Sequence, residues 1–190
     1  SGDAKRISLV LTGLTGDDRQ DAKILEHLKE KGIKVTFALS AAEALGNRDG
    51  LKDVIKSGAE LVSNGAAGET HLQSKSTRAM VKSLYKSRTS LATASGKSVG
   101  LVYCSGTKLT GNVLRAGGVS GYKASISADD ANVLGKDSFK ESGDAQAFVS
   151  GLSGDTVVVF NLRGAAETPQ AESSVVAEKP AINKQADLED

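Results

Sequence analysis

The sequence predicts an α/β fold in which about six parallel strands alternate with helices. Short apolar runs recur along the chain, and each is followed by a segment whose apolar residues lie at helical spacing. Glycines stand where most of these helical segments end. Two parallel strands need a crossover between them, usually a helix, so this alternation predicts a parallel sheet. Periodicity alone leaves open a doubly wound sheet and a closed or incomplete barrel.

The first repeat shows the pattern most clearly. Ile7–Thr12 is an apolar run that ends at Gly13, as expected for a buried strand. Asp17 and Asp18 then supply N-cap chemistry for a helix that stops at Gly32. The other predicted strands are 33–39, 60–63, 99–103, 122–127 and 156–161, and the other predicted helices lie within 42–56, 76–94, 110–116 and 143–151.

Composition excludes several classes of protein. The 190 residues carry 24 Lys+Arg and 23 Asp+Glu, a net charge of +1, so the chain lacks the cationic surplus of a nucleic-acid-binding protein. One cysteine allows no internal disulfide and no thiolate zinc site. No apolar run has the roughly 20 residues that span a bilayer. The first residues are Ser-Gly-Asp rather than Met, which indicates a trimmed fragment.

The charge is divided unevenly between two segments. Residues 165–190 contain both prolines, six acidic residues and two lysines, a net charge of −4, which leaves about +5 on residues 1–164. All seven Tyr and Phe residues lie in the first segment. We therefore predict one α/β domain over 1–164 and a linker or flexible tail over 165–190, with an appended strand or helix near 174–177 as the alternative.

A ligand site in either architecture would form at the carboxyl ends of the strands. These positions are rich in Gly, Ser, Thr and Asn and poor in catalytic side chains. Tyr103 ends a predicted strand, whereas Tyr85 and Tyr122 are expected in the core. The candidate ligand-binding residues are Asp17, Asp18, Asn64, His71, Tyr103 and Asn161.

Several segments resemble the polysaccharide deacetylases of the NodB-homology type. The opening strand, helix and strand over 7–37 match that family in spacing, and the resemblance extends through 55–64, 114–122 and 157–161. It implies a distorted or incomplete (β/α) barrel and a metal-dependent carbohydrate esterase.

Every catalytic position of that family is altered here. The family's Asp-Asp pair, a general base and a metal ligand, would close the first strand, which here reads Thr-Gly-Leu-Thr-Gly over 12–16. Its H-x-x-x-H pair would fall on Asn64 and Gly68, and its catalytic His on Asn161. Its Arg-Pro-Pro motif would fall near 103–105. The resemblance therefore implies a degenerate member with no catalytic residue, no metal ligand and no cofactor.

Other chemistries have weaker support in the sequence. His71 is more typical of a solvated loop than of a metal ligand, although carboxylates could hold a weak Mg²⁺ or Ca²⁺ ion. Cys104 follows a strand and could act as a nucleophile, but a partly buried apolar role is the simpler interpretation. The glycine-containing loop over 12–17 could bind a phosphate, yet Asp17 and Asp18 would repel one.

The sequence thus predicts a non-catalytic domain, because the catalytic set of the family is replaced, and we expect it to act as a binding or scaffold module of a bacterial cell envelope. The expected partner is a cell-wall glycan or another envelope protein, and the expected location is extracellular or on the cell surface. Two alternatives stay open. One is an active esterase with a rearranged site, and the other is a small-ligand or phosphate-binding doubly wound domain.

Overall fold

The computed structural model describes residues 6–68 and 70–163. The strands are β1 (Ile7–Thr12), β2 (Thr36–Leu39), β3 (Glu60–Ser63), β4 (Leu101–Val102), β5 (Ala124–Ser125), β6 (Val133–Gly135) and β7 (Thr156–Asn161). The helices are α1 (Asp18–Glu30), α2 (Ala41–Gly46), α3 (Arg48–Ser57), α4 (Thr77–Ser95), α5 (Gly111–Val119) and α6 (Ser142–Gly151). The predicted tail over 165–190 lies outside the described residues.

The strands form one parallel sheet in the order β5-β4-β3-β2-β1-β7-β6. The strands thus follow one another around a ring in the order of the chain, and the ring is open between β5 and β6. A doubly wound sheet would instead reverse its strand order at a switch point. The sheet is therefore an incomplete (β/α) barrel, which confirms the fold class implied by the resemblance.

The two faces of the sheet pack differently. One face packs against helices in a core that includes Phe37, Leu51 and Leu84. The other carries a second cluster made of strand residues and the residues next to them: Val10, Ala38, Val62, Tyr103 and Val159. Within the described residues, helices thus cover one face only, and the second cluster fills the barrel interior. Burial on both faces explains why β1 reads as a nearly continuous apolar run.

Helix boundaries follow from local hydrogen bonding. Asp17 caps α1, as predicted, because its carboxylate accepts from the backbone N–H of Arg19 and Gln20. α3 ends at Gly58, which adopts φ 79°, a left-handed conformation that glycine tolerates.

Several predicted features differ in the structure, and the strands expected over 33–39 and 99–103 shorten to β2 and β4. The helix expected within 42–56 is two helices, because the side chain of Asn47 accepts from the N–H of Gly50 and starts α3 there. The strand expected over 122–127 has only two residues in β5, an edge strand paired with β4 alone. β6 was not predicted, since three residues show no period; its identity as a strand comes from pairing with β7.

The long helix α4 corrects one expectation about the aromatic residues. Its buried stripe consists of Met80, Leu84, Ser87 and Leu91. Tyr85 comes directly after Leu84, lies outside this stripe and is 55% exposed, contrary to expectation. Tyr122 is buried, as expected. Among the helices that the structure describes, none combines the length and the hydropathy needed to cross a bilayer.

Candidate functional site

The mouth of the barrel is the rim formed by the carboxyl ends of its strands. Side chains two positions apart in a strand point to the same face. The residues two positions after the interior cluster therefore lie on the interior side, at this rim. Thr12, Ser40 and Asn64 lie there and are buried, with exposed fractions of 5%, 1% and 6%. Asn161 lies beside Thr12 in the register of β1 and β7. The rim therefore presents small, uncharged polar side chains.

Asn64 holds the loop that follows β4. Its Oδ1 accepts from the backbone N–H of Ser105 at 3.3 Å and from the Ser105 hydroxyl at 3.5 Å. No described residue accepts from its Nδ2, so two N–H donors remain at a nearly buried position. Asn64 is thus built into the rim and still has donors for a ligand.

Tyr103 is the one aromatic residue of the barrel interior, at 4% exposure. Burial raises the pKa of its phenol, against the opposing effect of a hydrogen bond with Ser105. The charge of Asp130 acts in the same direction as burial. Tyr103 therefore stays neutral at physiological pH and offers a hydroxyl and an aromatic ring rather than a charge.

An ion pair that sequence reasoning missed crosses one side of the mouth. Arg163 lies just after β7, and its Nη2 is 3.4 Å from Oε1 of Glu43. Its Nε also donates to the carbonyl of Leu14 at 2.8 Å. The other Glu43 oxygen accepts from the backbone N–H and the hydroxyl of Ser40, which forms a capping box for α2.

These contacts join the ends of β1, β2 and β7. The Ser-x-x-Glu spacing over 40–43 is the one sequence pattern that includes Glu43. It predicts the start of a helix and does not indicate an ion pair with a distant arginine. Arg163 had no local signal at all, because its partners lie more than a hundred residues earlier in the chain.

The β1–α1 loop is also fixed by its own contacts. Leu14 is 1% exposed and belongs to the helix-side core. Asp21 is 2% exposed, and its Oδ1 accepts from the N–H of Thr15 at 2.9 Å. Gly13 has φ 74°, a conformation that a side chain would strain.

The other candidate residues each contact a different part of the chain. The Asp17 carboxylate caps α1, and Asp18 accepts from the side-chain amide of Asn47 at 3.0 Å. Asn161 Oδ1 accepts from the backbone N–H of Arg163. His71 is exposed, has φ 55°, and accepts through its carbonyl from Ser74.

Cys104 is half-buried and packs against the helix-side core. This packing agrees with its interpretation as a partly buried apolar residue.

The donor set does not fit the metal ion that the resemblance implies. Asn64 offers an amide oxygen that already accepts two hydrogen bonds, and Gly68 has no side chain and a φ of 74°. The Oδ1 of Asp17 accepts from two N–H groups of its own helix. Across 6–68 and 70–163, no three His, Cys, Asp or Glu side chains are grouped so that they could hold a metal ion.

The strand order and the helices on one face define an incomplete (β/α) barrel. The sequence model of the polysaccharide deacetylase family matches residues 2–125. This match covers more than half of the chain, which therefore belongs to the polysaccharide deacetylase family. No curated protein matches the sequence.

Solved structures share the fold. A family 4 carbohydrate esterase (CE4) pseudoenzyme from Bacillus anthracis is similar with a TM-score of 0.69 and 16% identity, over 85% of this chain and 56% of its own. A family 4 carbohydrate esterase from Streptomyces lividans has a TM-score of 0.66 and 16% identity, over 83% of this chain and 79% of its own. The peptidoglycan deacetylase PdaC from Bacillus subtilis has a TM-score of 0.64 and 16% identity, over 83% and 74%. The chain thus spans just over half the length of the pseudoenzyme.

Proposed function

We propose that this domain is a non-catalytic polysaccharide deacetylase-like module that binds a cell-envelope glycan at the barrel mouth. One observation carries the proposal: across 6–68 and 70–163 no three His, Cys, Asp or Glu side chains are grouped to hold a metal ion, and Asn64 and Gly68 stand where the resemblance places the family's two histidines. Of the acidic pair, Asp17 caps α1 and Asp18 accepts from the side-chain amide of Asn47. Hydrolysis of an acetamide by this family's chemistry needs an activated water and a protonated leaving group. The rim residues supply neither.

The same rim suits the hydroxyl groups of a sugar. Asn64 has free N–H donors, Ser105 carries a hydroxyl, and the Tyr103 phenol is neutral. Each such hydrogen bond contributes about 0.5–1.5 kcal/mol net in water. The chain has no Trp to stack on a sugar ring, so we expect binding near −4 kcal/mol, a dissociation constant of about 1 mM.

An envelope location belongs to the same proposal. It is supported by the family, and by the similarity to a peptidoglycan deacetylase in fold. A neighbouring envelope protein is the second kind of partner for this module, and the binding experiment separates the two.

The first experiment asks whether the domain is an enzyme. The purified chain is analysed for zinc and cobalt and incubated with acetylated amino-sugar oligomers, and released acetate is measured. We expect neither a stoichiometric metal nor acetate release. Stoichiometric metal together with acetate release would instead establish an active esterase with a rearranged site.

The second experiment asks whether the mouth binds glycan. Amide NMR spectra are recorded during titration with N-acetylglucosamine oligomers, and shifts are expected around Asn64 and Ser105. Asn64→Ala should weaken binding at least threefold, since it removes the free N–H donors and loosens the Ser105 loop. Asn112→Ala on the exposed side of α5 is the matched control and should leave binding unchanged. Shifts that avoid the mouth would contradict the proposal.

A further inference from the structure

A groove lies at the amino-terminal edge of the barrel, opposite the mouth. Its main part is a cavity of about 490 Å³ between the turns that lead into β3, β4 and β5. A smaller crevice of about 70 Å³ adjoins it, and both are lined by Gly58 and Ala59. We call the two together the amino-edge groove. Its volume is in the range of pockets that bind ligands or short segments.

The amino-edge groove combines an apolar floor with a cationic rim. Ile55, Leu61 and Leu101 contribute to the floor. The exposed lysines at the rim are Lys29, Lys34, Lys97 and Lys123. The aliphatic part of Lys123 lies over Gly100, so its stem extends the apolar surface while its charge stays in water.

These four lysines are not neutralised by the described part of the chain. Its ion pairs join Arg6 to Asp155, Lys52 to Asp49, Lys56 to Asp53 and Arg163 to Glu43. The one carboxylate that lines the groove is Glu60, which accepts from the Thr36 hydroxyl at 3.3 Å. The groove is therefore suited to an acidic segment that also carries apolar side chains.

We propose that the acidic segment 165–190 of the same chain docks in the amino-edge groove. The segment has a net charge of −4, opposite in sign to the body, and intersperses Val, Ile and Leu among its acids. A polypeptide of 26 residues spans up to about 85 Å when fully extended. The barrel strands of up to six residues are about 20 Å long, so the segment can reach from the mouth to the opposite edge.

Tethering makes this occupant the favoured one. A segment attached to the domain has an effective concentration in the millimolar range, which a free acidic peptide would have to match in solution. The mouth remains open in this arrangement, because the groove lies at the other end of the barrel. Docking of the segment at the amino edge and glycan binding at the mouth are therefore independent of each other.

The test uses the full chain with a nitroxide attached through Ala181→Cys in a Cys104→Ser background. We compare amide NMR spectra recorded with the nitroxide oxidised and reduced. In the oxidised form, signals near the groove should lose at least half their intensity: those of Gly58, Gly100 and Lys123. Signals of Gly13 and Gly106 at the mouth serve as the internal reference.

Charge reversal identifies the contact. Lys97→Glu with Lys123→Glu should remove the intensity loss, whereas Lys82→Glu with Lys86→Glu, the same charge change on exposed residues of α4, should leave it in place. Salt at about 0.5 M should also remove it, since screening then acts within a few ångströms. Equal intensity loss at both ends of the barrel, or a loss that survives reversal at Lys97 and Lys123, would overturn the proposal. So would a loss that grows with protein concentration, because it would show docking between two copies.

Discussion

Replacing Arg163 by Ala is expected to loosen the mouth of the barrel. Arg163 is the cation that links the ends of three strands, through Glu43 after β2 and the Leu14 carbonyl after β1. The change removes both contacts and leaves the Glu43 carboxylate, at 14% exposure, without its cationic partner. Both contacts are polar, and the contact with Leu14 goes to its backbone carbonyl rather than to its side chain, so the apolar core is left intact and the barrel should still fold.

The size of the effect follows from exposure. A hydrogen bond that involves a charged group contributes about 1.5–3 kcal/mol when buried. The Arg163 side chain is 55% exposed, so water replaces part of the lost contact. The low exposure of Glu43 works the other way, because its carboxylate is poorly hydrated. We therefore expect a loss of about 1.5 kcal/mol in the free energy of unfolding.

Urea unfolding of the full chain measures this loss. With a slope of about 2 kcal/mol per molar urea, the midpoint should fall by about 0.75 M. Arg6→Ala is the matched control, because its ion pair with Asp155 is shorter, at 2.7 Å, but both side chains are more than 60% exposed. It should cost no more than about 0.5 kcal/mol. Equal losses for the two variants would refute the reasoning that burial at the mouth gives the Arg163 contacts their value.

Two further predictions concern stability. Gly13→Ala should destabilise the domain by about 1 kcal/mol more than Gly16→Ala, measured by urea unfolding. Both glycines have positive φ, but a Cβ at Gly13 would lie 3.2 Å from Glu43 Oε1, whereas Gly16 has open space, and equal costs would contradict the crowding. The second concerns high pH: burial raises the pKa of Tyr122, so the unfolded chain ionises first and stability should fall as pH rises above about 10. Tyr122→Phe should flatten that fall in thermal unfolding followed from pH 8 to 11, and an unchanged slope would assign it to other groups.

Much of the fold could be predicted from the sequence because its signals are local. β1 and β7 are long apolar runs, and Asp17 and Gly58 mark a helix start and a helix end by their own backbone preferences. β6 could not be predicted, since three residues carry no period and its pairing partner follows it by more than twenty residues. The break at Asn47 was equally hidden, because the flanking apolar positions suit one helix as well as two.

The candidate site was predictable only in part. The sequence places Asn64, Tyr103 and Asn161 at strand ends, and parallel strands bring those ends to one rim. Their partners depend on distances that span the chain: Asn64 contacts Ser105, and Arg163 contacts Leu14. No local pattern reports such contacts, because they form only once the sheet has curled.

The sequence by itself determined the alternation of strands and helices, and it determined which side chains the mouth lacks. Both are properties of residue type and spacing, which do not depend on how the strands are arranged. The tertiary structure alone decided between a doubly wound sheet and a barrel, through the strand order and the helices on one face. It also decided that Glu43 and Arg163 meet at the mouth and that four exposed lysines rim the opposite edge. Charges distant in sequence become neighbours only through the packing of the whole domain.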